Sequence, residues 1–121
     1  MMPDSKNHKL KVRSKVWLEL EGKPFFGEGR LEILRAIDRL GSITKAAEET
    51  RISYRRIRGI IREMEENFGR PLVITQRGGR SGGWAAITTS AQDLISRFEK
   101  QQIGVKKEIN DTFELLFNDF P

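Results

Sequence analysis

Between Gly41 and Gly69 the spacing of apolar residues leaves little choice of fold. Ile57, Ile60, Ile61, Met64 and Phe68 recur at i, i+3, i+4, i+7 and i+11, which is one face of a helix. Ser53 stands just before them, placed to accept from the free N–H groups of the first turn. Gly69 and Pro71 end the run, so a helix is predicted over 54–67. A shorter helix, 43–49, precedes it behind the cap residue Ser42, and its small Ala46 and Ala47 let a neighbour approach closely. Thr50-Arg51-Ile52 reads as the tight turn between the two. Before them Leu31, Ile33, Leu34, Ile37 and Leu40 make the stripe of a helix over 29–40, stopped by Gly41.

The flanks read as short strands and one long helix. Val16, Leu18 and Leu20 alternate with Lys15, Trp17, Glu19 and Glu21, the period of a half-buried strand, and Glu21-Gly22-Lys23-Pro24 ends it with turn chemistry. "LVITQ" (72–76) and "WAAIT" (84–88) are predicted strands around the glycine-rich tip "RGGRSGG". Residues 90–117 are helical, with Thr89 or Ser90 as the cap. The order β-α-α-α-β-β-α predicts a mainly α chain with a small β component (α+β), a winged helix-turn-helix with a long C-terminal helix. Its expected divisions are a disordered tail (1–10), the winged domain (11–89) and a dimerisation helix (90–121).

Charge points to an anionic partner. The chain has 121 residues, a formal net charge of +5 and a pI of 9.8. Arg51, Arg55, Arg56, Arg58 and Arg62 fall in one stretch that has no acidic residue from Arg51 to Arg62. A solvated helix face usually mixes signs at i,i+4, whereas here the acids wait until Glu63, Glu65 and Glu66. Arginine rather than lysine suits planar, two-pronged recognition of guanine or phosphate. Arg55, Arg58 and Arg62 share a stripe away from the isoleucines, so the 54–67 helix is expected to enter the major groove of double-stranded DNA. Thr44, Lys45, Ser53 and Tyr54, at helix starts, complete the candidate contacts with Arg77, Arg80 and Ser81 of the 77–83 wing, which is expected on the flanking backbone. The alternative is a winged-helix module for protein or RNA contact; protein contact alone would give a shallower dependence on salt and no preference for a palindromic site.

Other classes find little footing. The chain has no cysteine and one histidine, His8, in the expected tail, and no cluster suited to metal or acid–base chemistry, so it is not read as an enzyme. Neither a signal peptide nor an apolar run of ~18 residues is present. The expected compartment is the cytoplasm, with no membrane contact.

In the last helix Phe98, Gln102, Val105, Ile109, Thr112 and Leu116 step by four and three, the seam of a coiled coil, with Ile95, Phe113 and Phe117 thickening it. A homodimer arm is expected. It would present two recognition helices to half-sites roughly 34 Å apart. The alternative is a helix folded back on its own domain. Gly104 inside it suggests a kink or a close contact.

From Ser42 to Ile95 the chain resembles the DNA-binding domain of the molybdate-responsive regulators called ModE. The carrying residues are "GSITKAAEETRISYRRIRGIIREME", "RPLVITQRGGRSGGWAAIT" and "LI", and the strand "KVWLELEG" also fits. The resemblance implies a dimeric winged helix, built through its first strand and last helix, that controls operons for molybdate uptake and molybdoenzymes. Arg58 stands where an aromatic residue is usual, so the operator sequence does not carry over. Arg51 occupies a turn position often held by glycine and is strained if its φ is positive. Trp84 and Ala91 replace expected glycines. No residue of the molybdate-binding domains is present, so no cofactor is expected in this chain. It reads either as a DNA-binding domain cut from a longer protein or as a one-domain member with another trigger, with a separate effector-sensing protein as a possible partner; its untagged ends favour the second. LysR-type regulators share the architecture, and "EMEENFGRPLV" looks like theirs.

Overall fold

A computed structural model describes residues 9–77 and 83–121. Most of the expected tail, and the wing positions Arg80 and Ser81, lie outside the described residues. The elements are β1 (Leu18–Leu20), β2 (Lys23–Phe26), α1 (Glu28–Leu40), α2 (Ile43–Thr50), α3 (Tyr54–Phe68), β3 (Val73–Gln76), β4 (Trp84–Ile87) and α4 (Thr89–Phe117). They form two compact units, one of Trp17–Ser96 and one of residues 9–16 with Arg97–Pro121.

The first unit is built on α1, whose Leu31, Ile33, Leu34, Ala36 and Ile37 are all buried. Ala46 is fully buried where α2 packs on α1, and Ile57 and Met64 are fully buried on α3. Removing a side chain the size of Ile57 or Met64 from water contributes roughly 1.5–3 kcal/mol. The local signals act as expected. Ser42 Oγ accepts from Lys45 N and Ser53 Oγ from Arg56 N, both at 3.1 Å. Gly41 ends α1 at φ 65°, where a side chain would be strained. Arg51 ends α2 at φ 61°, so the anticipated strain at this non-glycine position is real.

The expected winged helix-turn-helix is present, with one strand more than the sequence indicated. β1 has an antiparallel partner, β2, in the register Leu18↔Phe26 and Leu20↔Lys23. Only Glu21 and Gly22 make the turn, with φ of 52° and 82°. Lys23 and Pro24 already belong to β2. The proline argues against a strand, and Phe25 and Phe26 are adjacent and both buried, which breaks the period of two. This hairpin closes on α3: the rings of Phe25 and Phe68 stack at 5.5 Å. Arg30 donates from Nη1 to the Phe25 carbonyl at 2.8 Å, and its Nη2 lies 3.4 Å from Glu63, which joins β2, α1 and α3.

β3 and β4 form the wing stem, antiparallel from Val73↔Ile87 to Gln76↔Trp84. Three bonds fix it to the helices. Ala85 N donates to the Gly41 carbonyl at 2.9 Å. The Glu65 carboxylate accepts from Leu72 N at 2.8 Å and Val73 N at 3.1 Å. The cap of α4 is Thr88, not Thr89 or Ser90: the helix begins one residue early, and Thr88 Oγ1 accepts from Ala91 N at 3.1 Å.

In the second unit α4 runs beside the residues before Trp17. Val12 and Val16 are half-buried there. Phe113 and Phe117 stack at 5.1 Å, and Phe120 meets Phe117 edge-on at 5.5 Å. Lys107 Nζ donates to Asp111 at 2.7 Å, and that hydrogen bond and charge raise the lysine pKa. A side chain at Gly104 would meet nothing within 4 Å, so this glycine marks no close contact within the chain.

Candidate nucleic-acid interface

The two faces of α3 have opposite chemistry because its apolar and basic residues keep different helical phases. Ile57, Ile61 and Met64 are buried. Arg55, Arg56 and Arg62 are exposed, and Arg58 is half-buried. Among the described residues, none of Arg51, Arg55, Arg56, Arg58 and Arg62 pairs with a carboxylate. Three of the nearby acids are engaged elsewhere: Glu63 meets Arg30, Glu65 holds the start of β3, and Glu49 pairs with Arg39 to clamp α2 to α1.

Two hollows flank the helix. One of about 290 Å³ joins three elements, with Thr44 from α2, Tyr54 and Arg58 from α3, and Gln76, Arg77 and Trp84 from the wing root among its lining. The α2 contribution follows from the Ser42 cap, which turns the chain into the helix beside β4. The second, about 430 Å³, is lined by Ser53, Arg55, Arg56, Gly59, Ile60 and Glu63. The expected DNA-contacting residues are therefore shared between two sides of one helix. Lys45, Arg51 and Arg62 are exposed but line neither hollow. Gln76 and Trp84 were missed by the sequence reading. Trp84, half-exposed next to the basic tip, is a tryptophan where a glycine was expected, and that was the available signal.

The expected dimer seam is divided. Gln102, Val105, Ile109 and Phe113 are half-buried within the single chain, whereas Thr112 and Leu116 are exposed. Phe98 is only 1% exposed, so it is a core side chain of the chain itself rather than a free seam position. The open apolar groups on α4 are Ile103, Leu115 and Leu116, at 69%, 79% and 64%. No helix among the described residues is long and apolar enough to cross a membrane.

Residues 29–92 match the family described as bacterial regulatory helix-turn-helix protein, lysR family. The molybdenum-pterin-binding protein MopA of Rhodobacter capsulatus is 38% identical over 81 residues, which cover 67% of this chain and 31% of that protein. The DNA-binding transcriptional dual regulator ModE of Escherichia coli K12 is 34% identical over 82 residues, 68% of this chain and 31% of that one. The transcriptional regulator ModE of Haemophilus influenzae is 30% identical over 82 residues, 68% and 32%. This chain thus spans about a third of the length of these relatives. Among solved structures, the BenM DBD in complex with benA site 1 DNA matches with a TM-score of 0.51 at 24% identity, covering 74% of this chain and 97% of that one, a likeness of fold. The resemblance to ModE-type helix-turn-helix regulators therefore holds.

Proposed function

We propose that this chain, which belongs to the lysR family of bacterial regulatory helix-turn-helix proteins, is a sequence-specific DNA-binding transcription regulator of ModE type. The observation that carries the reading is α3: its isoleucine face is buried while Arg55, Arg56 and Arg62 stand in solvent with no carboxylate partner among the described residues. A helix anchored on one side and cationic on the other fits the major groove, which is wide enough to admit it. Arg55 and Arg58, neighbours at i,i+3 on one stripe of the helix, are the base readers. Each good two-pronged arginine–guanine pair discriminates by ~1–3 kcal/mol. Thr44 and Lys45, at the start of α2, Ser53 at the start of α3, and Arg77 with Arg80 and Ser81 on the wing hold phosphates and set the register.

Two copies joined through α4 bind a palindromic operator, since a two-fold protein reads a two-fold site. The names of the relatives speak of molybdenum, which makes molybdenum-handling genes the first candidates for control in the cytoplasm. The trigger is sensed outside the described residues or by a separate protein. Selection of bound duplexes from a random pool, with and without molybdate, tests the reading. An enriched inverted repeat is the expected result; a pool that stays random would overturn it.

A further inference from the structure

The residues ahead of β1 carry a pattern that the recognition helix does not use. From Ser5 to Leu18 there are five lysines and arginines and no acid, while the whole chain has a formal net charge of +5. The rest of the chain therefore balances to zero, so this segment accounts for the whole formal net charge. Lys9, Lys11, Arg13 and Lys15 alternate with Leu10, Val12, Ser14 and Val16. All four cations are exposed, as are Leu10 and Ser14, whereas Val12 and Val16 are half-buried. Lys9 lies in a turn and residues 11–17 belong to neither helix nor strand; where such a chain runs extended, cations two residues apart stand roughly 7 Å from one another. That interval is comparable to the separation of successive phosphates along a nucleic-acid strand.

The row is anchored and open to a ligand. Val12, Arg13 and Ser14 line a hollow of about 220 Å³ with Lys106, Ile109 and Asn110 of α4. The apolar side is thus held while two cations, Arg13 and Lys106, converge at one place. Among the described residues, Lys9, Lys11, Arg13 and Lys106 have no carboxylate partner. A row kept only for solubility has no need of such an anchor.

We propose that the segment Lys9–Lys15, with Lys106 beside it, is a second DNA contact that grips the phosphate backbone irrespective of sequence. The inference rests on the DNA-binding reading above and adds to it a surface outside the helix-turn-helix. The test is a salt titration of the whole chain on its selected site and on a scrambled duplex. Each phosphate contact contributes ~0.9 to the slope of log affinity against log salt. The triple variant K9Q/K11Q/R13Q is expected to flatten that slope by roughly 2 to 3 and to weaken both duplexes by one common factor. The charge-keeping variant K9R/K11R/R13K is expected to retain the wild-type slope. A wild type that binds its site, with a triple variant of unchanged slope, would sink the second contact and leave the recognition helix standing. Weakening on the selected site alone would overturn the phosphate assignment. An unchanged DNA slope with lost binding to phosphatidylserine vesicles would give the segment to membranes instead. A wild type that binds no duplex would remove both readings together.

Discussion

α3 and α4 are both helices with a clear apolar stripe, yet the stripes have different fates. On α3 the centre of the stripe points inward: Ile57, Ile61 and Met64 are buried, with Ile60 and Phe68 half-buried at its margins. On α4 the seam read at the same period is mixed, with Phe98 buried, Val105 and Ile109 half-buried and Leu116 exposed. Helical period states which residues share a face. It does not state what covers that face, because the cover is a matter of which other segments arrive there. Around α3 the cover comes from α2 next to it and from β2 about forty residues away, whereas beside α4 it includes residues from the far end of the chain, such as Val12.

The contrast can be broken at five places. Met64→Ala removes a fully buried side chain and is expected to cost about 2–5 kcal/mol in denaturant unfolding. Loss of less than 1 kcal/mol would mean that the α3 face is not a packed core. Arg55→Ala and Arg58→Ala lie on the other side of that helix. Each is expected to cost ~1–3 kcal/mol on the selected operator and to relax preference at one base pair, without lowering the melting temperature. Arg80→Ala, on the wing, should instead weaken all duplexes alike. Arg51→Gly relieves a residue at φ 61° and is expected to raise stability by about 1 kcal/mol; an unchanged melting temperature would deny that the turn is strained. Leu115→Asp with Leu116→Asp is expected to shift the unfolding free energy of the protomer by no more than ~0.5 kcal/mol, since both side chains are exposed. The same pair is expected to convert a dimer to a monomer in sedimentation. An unaltered mass would place the interface elsewhere.

Much of the first unit is legible because its signals are local. A serine oxygen reaches a backbone N–H three residues on, and a glycine relieves one φ; neither depends on distant chain. That is why Ser42, Gly41, Ser53 and Gly69 place three helices to within a residue or so. β2 escaped because Pro24 contradicts strand chemistry and because Phe25 is buried by Phe68, more than forty residues later in the chain. The hollow shared by Tyr54, Arg58 and Trp84 escaped for the same reason: the backbone bond from Ala85 to Gly41 brings the wing root to the helices, and no spacing in the sequence announces it.

The residues alone determined the helix boundaries, the opposition of arginine and isoleucine on α3 and the sign of the charge, since each depends on intervals of a few residues. Only the tertiary structure decided that Glu63 and Glu65 serve the scaffold, that Arg58 is half-buried beside the wing, and that Phe98 is core. Those outcomes depend on side chains meeting across long stretches of chain, where packing and hydrogen-bond geometry choose among partners that the pattern leaves equivalent.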